Sequence, residues 1–426
     1  MAITSRQEVR EAPVGSRYGI RKVVAIVAIG YVLGAGTALA GGDGRFCSAT
    51  ANDQFKACGK EVKDDFFVAH AKCVNVSDPG EREACLAEAQ AQRREGRQLC
   101  GKQRVARKAL CAALAEDRYD PDFDPANFDS DFRNLTNPNR YRPLGIGNQW
   151  QYAGGDETIV IDVLDKTKLI DDVTCIVVQD AVEKDGELIE DTFDWFAQAK
   201  NGAVYYCGEE VKDFDSFEGD NPREPELVST DGSFKVGRDG DKACILFLGT
   251  PIVGTVYRQE FSAGNAEDAA RVLSTTYRFG NDPQLDQFVP QALANRFCLA
   301  SNCVVTSEFS PMSPDPASVE RKYFAPGIGL FFSVHEVTGN GVQLVNCTSM
   351  RGVRPCRRRD HRPRRLECRP WPVPARRARA GRGCGFLCYN RFRRMITGSL
   401  MRRCRSSSMI ARPSNPGSMI SIAAAS

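Results

Sequence analysis

Five carboxylates flank one tight turn in this chain. Glu190, Asp191 and Asp194 precede Asn201-Gly202, and Glu209 and Glu210 follow it. Asn-Gly between β-prone runs is a hairpin signal, so the two groups would return on adjacent strands. Two carboxyl groups so placed could hydrolyse a glycosidic bond, one as acid and the other as nucleophile or base. Acidic residues abound here, however, and composition alone also brings carboxylates close. Trp195, Phe196, Tyr205 and Tyr206 nearby could line a groove, although packing between strands is the ordinary use of such rings. Other nucleophilic chemistry lacks its parts: His335 is the only histidine between residues 142 and 347, and no Gly-x-Ser-x-Gly elbow occurs. There is no phosphate loop, dinucleotide fingerprint or zinc signature. The sequence therefore designates no catalytic residue, no metal and no cofactor.

A second acidic pattern lies upstream. Asp120, Asp122 and Asp124 alternate, and Asp131 stands twelfth counting from Asp120, as in a calcium loop with ligands at positions 1, 3, 5 and 12. Pro125 occupies the sixth position, which such a loop reserves for glycine, and Asp131 replaces its final glutamate. The plainer reading is a solvated acidic linker over 117–141, and calcium dependence is an alternative.

The strongest pattern is sulfur. Six cysteines between Cys47 and Cys111 have gaps of 11, 15, 12, 15 and 11. The series is a mirror centred on Asp78-Pro79-Gly80, a turn sequence. A chain doubling back there would set Cys47 opposite Cys111, Cys58 opposite Cys100 and Cys73 opposite Cys85. Both flanks are rich in helix formers. On a helix an 11-residue step returns to within about 20° of the same face and a 15-residue step to within about 60°. The spacing predicts a helical hairpin over 41–116 with three nested disulfides, although six cysteines admit many other pairings. No Cys-x-x-Cys is present to favour metal or haem. Farther on, Cys298 and Cys303 are placed to bridge a short loop, while the pairing of Cys175, Cys207, Cys244 and Cys347 is left open.

Disulfides need an oxidising compartment, and residues 1–40 read as an export signal. Arg17, Arg21 and Lys22 precede an apolar run from Val23 to Gly36, and Ala38-Leu39-Ala40 offers a small-x-small cleavage site. The run is shorter than the roughly 20 residues of a membrane-spanning helix, so no stable span is expected after cleavage.

The other end contrasts. Residues 351–426 hold 20 Arg and no Lys against Asp360 and Glu367. With +3 in the leader and +18 here, a chain of net +3 leaves 41–350 at −18. Arginine without lysine, with scattered Pro and Cys and no periodicity, reads as a disordered frameshift product over 348–426. The alternative is a cationic tail for nucleic acid or anionic membranes, and no nucleic-acid partner is expected.

Between linker and tail, 142–347 breaks into short β-prone runs separated by turns. Examples are Glu157 to Leu164, which alternates, Leu188 to Ala199, Cys303 to Phe309 and Gly341 to Val345. No long helices intervene, so the sheet is expected to be antiparallel. Leu144-Gly145-Ile146-Gly147-Asn148-Gln149-Trp150-Gln151-Tyr152, Asp191-Thr192-Phe193-Asp194-Trp195-Phe196-Ala197-Gln198, Val204-Tyr205-Tyr206-Cys207-Gly208-Glu209-Glu210 and Lys322-Tyr323-Phe324-Ala325-Pro326-Gly327-Ile328-Gly329-Leu330 resemble segments of a group of exported bacterial proteins of unassigned function. The last is also similar to the closing strand of lipoprotein-carrier half-barrels, in which a curved sheet shelters an apolar ligand. These resemblances imply one β-rich domain and carry over no catalytic residue.

The expected fold is α+β: an N-terminal disulfide-stapled α-helical hairpin followed by an antiparallel curved β-sheet or half-barrel domain. The function expected is that of a secreted or periplasmic, non-enzymatic protein binding an apolar ligand or a protein partner through the β domain. An extracellular glycoside hydrolase and a calcium-dependent surface protein are the alternatives.

Overall fold

A computed structural model describes residues 44–348. The leader over 1–40 and the Arg-rich stretch beyond Thr348 lie outside the described residues. Helix α1 (Phe46–Val74) and helix α2 (Pro79–Ala113) form the hairpin. The turn between them does what its residues suggest: Asp78 caps α2, its carboxylate accepting from Glu81 N at 2.8 Å, and Pro79 takes the first turn, where no N–H is needed. Cys47–Cys111, Cys58–Cys100 and Cys73–Cys85 are bridged, with Cα atoms 5.5, 5.8 and 5.5 Å apart. Each bridge restricts the unfolded chain and stabilises by about 2–4 kcal/mol. The pair buries little else, chiefly Phe66 and Ala89 beside the last bridge, so covalent rungs stand in for a core. Among the described residues no helix is long and apolar enough to cross a membrane.

The hairpin docks on the β domain through the Cys47–Cys111 end. Arg107 makes a bidentate, buried ion pair with Glu267, at 2.7 and 3.0 Å, and Gln103 Nε2 donates to Met312 O at 3.0 Å. Toward the Cys73–Cys85 end Phe67, Val68 and Val74 are each more than half exposed.

The β domain is one curved, unclosed antiparallel sheet of fourteen strands. They are β1 (Gln149–Gly154), β2 (Glu157–Ile170), β3 (Val173–Lys184), β4 (Glu187–Gln198), β5 (Val204–Asp215), β6 (Glu226–Ser229), β7 (Phe234–Lys235), β8 (Cys244–Phe247), β9 (Val256–Arg258), β10 (Ala269–Tyr277), β11 (Cys303–Phe309), β12 (Glu320–Ala325), β13 (Gly329–His335) and β14 (Gly341–Thr348). One meander runs outward from β1 to β6. A second runs from β9 back to β14, which pairs with β1. First and last strands thus meet in the middle, and there Gly154 and Gly341 are close: a Cβ on Gly154 would stand 2.0 Å from Gly341 O. Strand β5 is bordered successively by β6, β7 and β8. The far edges approach where Gln259 Nε2 donates to Leu246 O at 3.1 Å.

Both outer faces are covered. Helices α3 (Pro283–Asp286) and α4 (Gln291–Phe297) lie on the second meander, with Tyr323 donating to Leu285 O at 2.6 Å and Phe297 stacked on Phe331. The Cys298–Cys303 bridge joins α4 to β11. The segment 117–141, expected as a solvated linker, instead packs on the first meander. Phe128 sits edge-on to Tyr205, within the apolar layer formed by Val177, Trp195 and the Cys175–Cys207 bridge. Its aromatic residues, outnumbered by Asp and Pro in composition, decide its place. Of the cysteines left open by spacing, Cys244 is a buried free thiol, and Cys347 is disulfide-bonded.

Candidate functional site

Side chains alternate across a strand, and in β2, β4 and β5 this alternation sorts the acidic residues. In β2, Glu157, Ile159, Ile161 and Val163 are buried while their neighbours are not. In β4 the buried set is Glu190, Thr192 and Asp194, and in β5 it is Glu209, Val211 and Asp213. Antiparallel pairing puts Asp194 opposite Glu209, Thr192 opposite Val211 and Glu190 opposite Asp213. Strand β3 adds Asp180, opposite Thr192. The inner wall of the first meander therefore carries six carboxylates. Of the five acidic residues that flank the Asn201-Gly202 turn, Glu190, Asp194 and Glu209 share this wall. Asp191 and Glu210 lie on the opposite face, where Asp191 accepts from Gln179 and Glu210 pairs with Lys212. Glu157, Asp180 and Asp213 were not singled out in the sequence. The signal that could find them is the same alternation, because Asp180 lies between Val178 and Val182 and Asp213 follows Val211 by two.

Aromatic rings border the carboxylates. Tyr206 donates its hydroxyl to Asp194 and stacks against Phe196 and Phe234 at 4.9 and 5.2 Å between centroids. The Arg142 guanidinium lies 5.5 Å from the Phe196 ring centre. Thr192 donates to Glu190 at 2.9 Å.

The electrostatics follow from crowding. Burial, joined by the fields of Asp194 and Glu190, pushes the Asp180 carboxyl well above its usual range against the pull of Arg142. Burial pushes Glu157 up to about 7, opposed by Lys184 and reinforced by Asp156 and Glu190. Glu157 is only 5 % exposed, and its Oε2 and the Asp180 Oδ1 have no hydrogen-bond partner within the protein.

A stability prediction follows. Folded Glu157 holds its proton to about pH 7, whereas the unfolded chain releases it near the ordinary value of 4.5. Stability from this residue is thus full below the unfolded value and is lost as pH rises toward 7. Glu157→Gln, which cannot ionise, is expected to melt higher than the wild type at pH 8 and equally at pH 4.5. Thermal melts of both proteins across that range check this; an equal offset at every pH refutes the assignment.

A second buried charge cluster occupies the other meander. Lys322 Nζ lies 2.6 Å from Glu308 and 3.2 Å from Glu320, and His335 Nε2 is 3.4 Å from Glu320. Burial alone would lower the Lys322 ammonium, but the two glutamates reverse this and hold it raised. An ammonium so held cannot act as a base toward Ser333, its cross-strand neighbour. His335 is thus part of a structural network.

The four linker aspartates are not brought together. Asp120 pairs with Lys242, Asp122 and Asp124 accept from backbone N–H groups of their own turn, and Asp131 accepts from Arg133 N and the Asn134 amide. Asp120, Asp122 and Asp124 line a cleft of about 300 Å³ with Asp171 and Asp241, which Asp131 does not join. Among the described residues no group of three or more His, Cys, Asp or Glu side chains is placed to hold a metal ion. No family model, curated protein or solved structure matches the chain.

Proposed function

We propose that this is an exported, non-enzymatic binding protein whose half-barrel takes a cationic, partly apolar ligand on the inner wall of its first meander. The observation that carries this reading is the set of six carboxylates on one face of β2 to β5, with Glu157 Oε2 and Asp180 Oδ1 lacking a hydrogen-bond partner among the described residues. Burial is the first cause of the raised proton affinity at both; the fields of Asp194 and Glu190 add to it at Asp180, while Lys184 opposes it at Glu157. Buried carboxylates demand protons or partner cations, and a ligand amine supplies the latter. The buried rings of Phe196, Tyr206 and Phe234 make the adjoining end of the wall apolar. The same field disfavours a fatty acid or other anionic lipid, so the apolar ligand expected of a half-barrel becomes one with a positive charge. Export is supported by the disulfides, which are compatible with an extracellular or periplasmic protein.

Calorimetric titration with dodecylammonium and laurate, single chains of opposite charge, tests the reading. Dodecylammonium is expected to bind and laurate to fail, and Asp194→Asn to weaken the cation about tenfold, as befits one lost charged hydrogen bond. Tighter binding of laurate would overturn it.

A rival reading has one observation in its favour. Asp194 and Glu209 face each other across β4 and β5, so their Cβ atoms are about 5 Å apart. Carboxyls borne on such a pair can reach the separation of roughly 5–5.5 Å used by retaining glycosidases. Reducing-sugar release from a polysaccharide, lost in both Asp194→Asn and Glu209→Gln, would establish hydrolysis in place of binding.

A further inference from the structure

The Cys47–Cys111 bridge at the root of the arm lies against a buried cation. Arg258, the last residue of β9, is 7 % exposed, and the ring centres of Tyr119 and Phe261 stand 5.4 and 4.6 Å from its guanidinium carbon. The rings attract its faces, but its edge is poorly met. Nε and Nη1 have no hydrogen-bond partner, and Nη2 lies 3.4 Å from Cys47 Sγ. The Glu267 carboxylate, whose field reaches Arg258, is engaged by Arg107 and Gly264 N. A buried cation calls for an anion or for full hydrogen bonding. A disulfide sulfur supplies neither, whereas a thiolate at Cys47 would supply the anion.

We infer that Cys47–Cys111 is a site of thiol–disulfide exchange, opened by a dithiol reductant to leave Cys47 as a thiolate against Arg258. Reach and charge single it out. Cys175, Cys207, Cys298 and Cys303 are wholly buried, beyond an attacking thiol. Each hairpin bridge keeps one half-buried cysteine: Cys47, Cys58 or Cys85. Cys58 Sγ faces the Gln103 side-chain carbonyl oxygen at 3.5 Å, which repels negative charge. Cys85 packs on the apolar cluster of Phe66 and Ala89, and apolar surroundings disfavour a thiolate. Cys47 has the guanidinium, and it stands in the first turn of α1, whose N-terminal field favours an anion.

In the exchange, the reductant's first thiolate attacks Cys47 Sγ. The bond between the two protein sulfurs breaks, and its electron pair leaves on Cys111, which takes up a proton. The second thiol then attacks the mixed disulfide and expels Cys47 as a thiolate. The dithiol is oxidised to a cyclic disulfide, the bridge gains two electrons, and one proton is released. Ser48 N and Ser48 Oγ donate to Glu116 at 2.9 and 2.5 Å, which keeps the helix ends together across the open bond. A covalent tie within the arm is thereby exchanged for an ion pair between the arm and the β domain.

The test is reduction of the full chain by graded dithiothreitol, with free thiols trapped by iodoacetamide and located by peptide mapping. Cys47–Cys111 is expected to open about tenfold faster than Cys58–Cys100 or Cys73–Cys85, as one charge-assisted hydrogen bond to the thiolate would give. Arg258→Met is expected to remove that lead, and Arg258→Lys to keep most of it. If Arg258 served only to pack the interface, its loss would loosen the arm and speed the opening, which is the opposite sign. An unchanged or faster rate in Arg258→Met therefore overturns the inference. The order in the wild type needs no variant, and opening of Cys58–Cys100 or Cys73–Cys85 as early as Cys47–Cys111 overturns it as well.

Discussion

Lys322→Met is expected to lower the melting temperature of the β domain by about 6–10 °C. The side chain is 1 % exposed and its ammonium joins Glu308 and Glu320, which face each other across β11 and β12. Without it two buried carboxylates confront each other, and removing one partner from such a cluster costs about 3–5 kcal/mol. For a domain of this size each kcal/mol corresponds to about 2 °C. The sign of the pH dependence is distinctive. Burial already raises the Glu320 carboxyl, and loss of the ammonium raises it further, so the variant is expected to recover part of its stability as pH falls and the glutamates take up protons. The triple variant Lys322→Met, Glu308→Gln, Glu320→Gln is expected to regain most of the loss, because neutral side chains of similar size no longer repel. Calorimetry of the three proteins at pH 5 and pH 8 decides this, and a single variant as stable as the wild type would show that the cluster is not stabilising.

Arg107→Ala should release the helical arm while leaving the arm itself intact. Its guanidinium and the Glu267 carboxylate are both nearly inaccessible to solvent, and Glu267 also accepts from Gly264 N at 2.6 Å. Removing Arg107 leaves the Glu267 carboxylate buried without its cation, again at about 3–5 kcal/mol. Three disulfides still tie α1 to α2 after undocking. The expected readout is faster proteolysis near residues 114–118, with the Cys47–Cys111, Cys58–Cys100 and Cys73–Cys85 bridges unchanged in non-reducing peptide maps. Glu267→Ala is expected to behave alike, and the double variant to cost less than the two singles together, since the residues act on each other. Unchanged proteolysis would mean that the Gln103 contact with Met312 suffices to hold the arm.

The legibility of this chain varied with how local the determining physics is. The hairpin was readable because three bridges, a cap and a turn all obey one spacing, and every rule involved operates within a single pair of helices. Long strands were readable in place but not in extent. Strand β2 runs to Ile170 and β3 to Lys184, past the charged residues at which an apolar pattern fades, since a paired neighbour rather than hydrophobicity sustains them. The short β6, β7 and β8 and the helices α3 and α4 were missed, being too brief to show a period. The acidic wall was half visible. Parity along β4 assigns Glu190 and Asp194 to one face, but whether Glu209 or Glu210 joins them depends on the bulge between Trp195 and Phe196, which no spacing rule reveals. Pairing of Cys175 with Cys207 likewise depends on how β3, β4 and β5 lie together, a matter of tertiary structure.

The meeting of β1 with β14 sets the tempo of folding. A ribosome delivers β1 early, yet its second neighbour emerges last, after every other strand of the domain. Until then Gln149–Gly154 presents a naked seam able to recruit strands from other molecules. Such distant partnering makes assembly slow. Chaperones that shield nascent chains would therefore matter more for this protein than for a domain zipped up in order of synthesis.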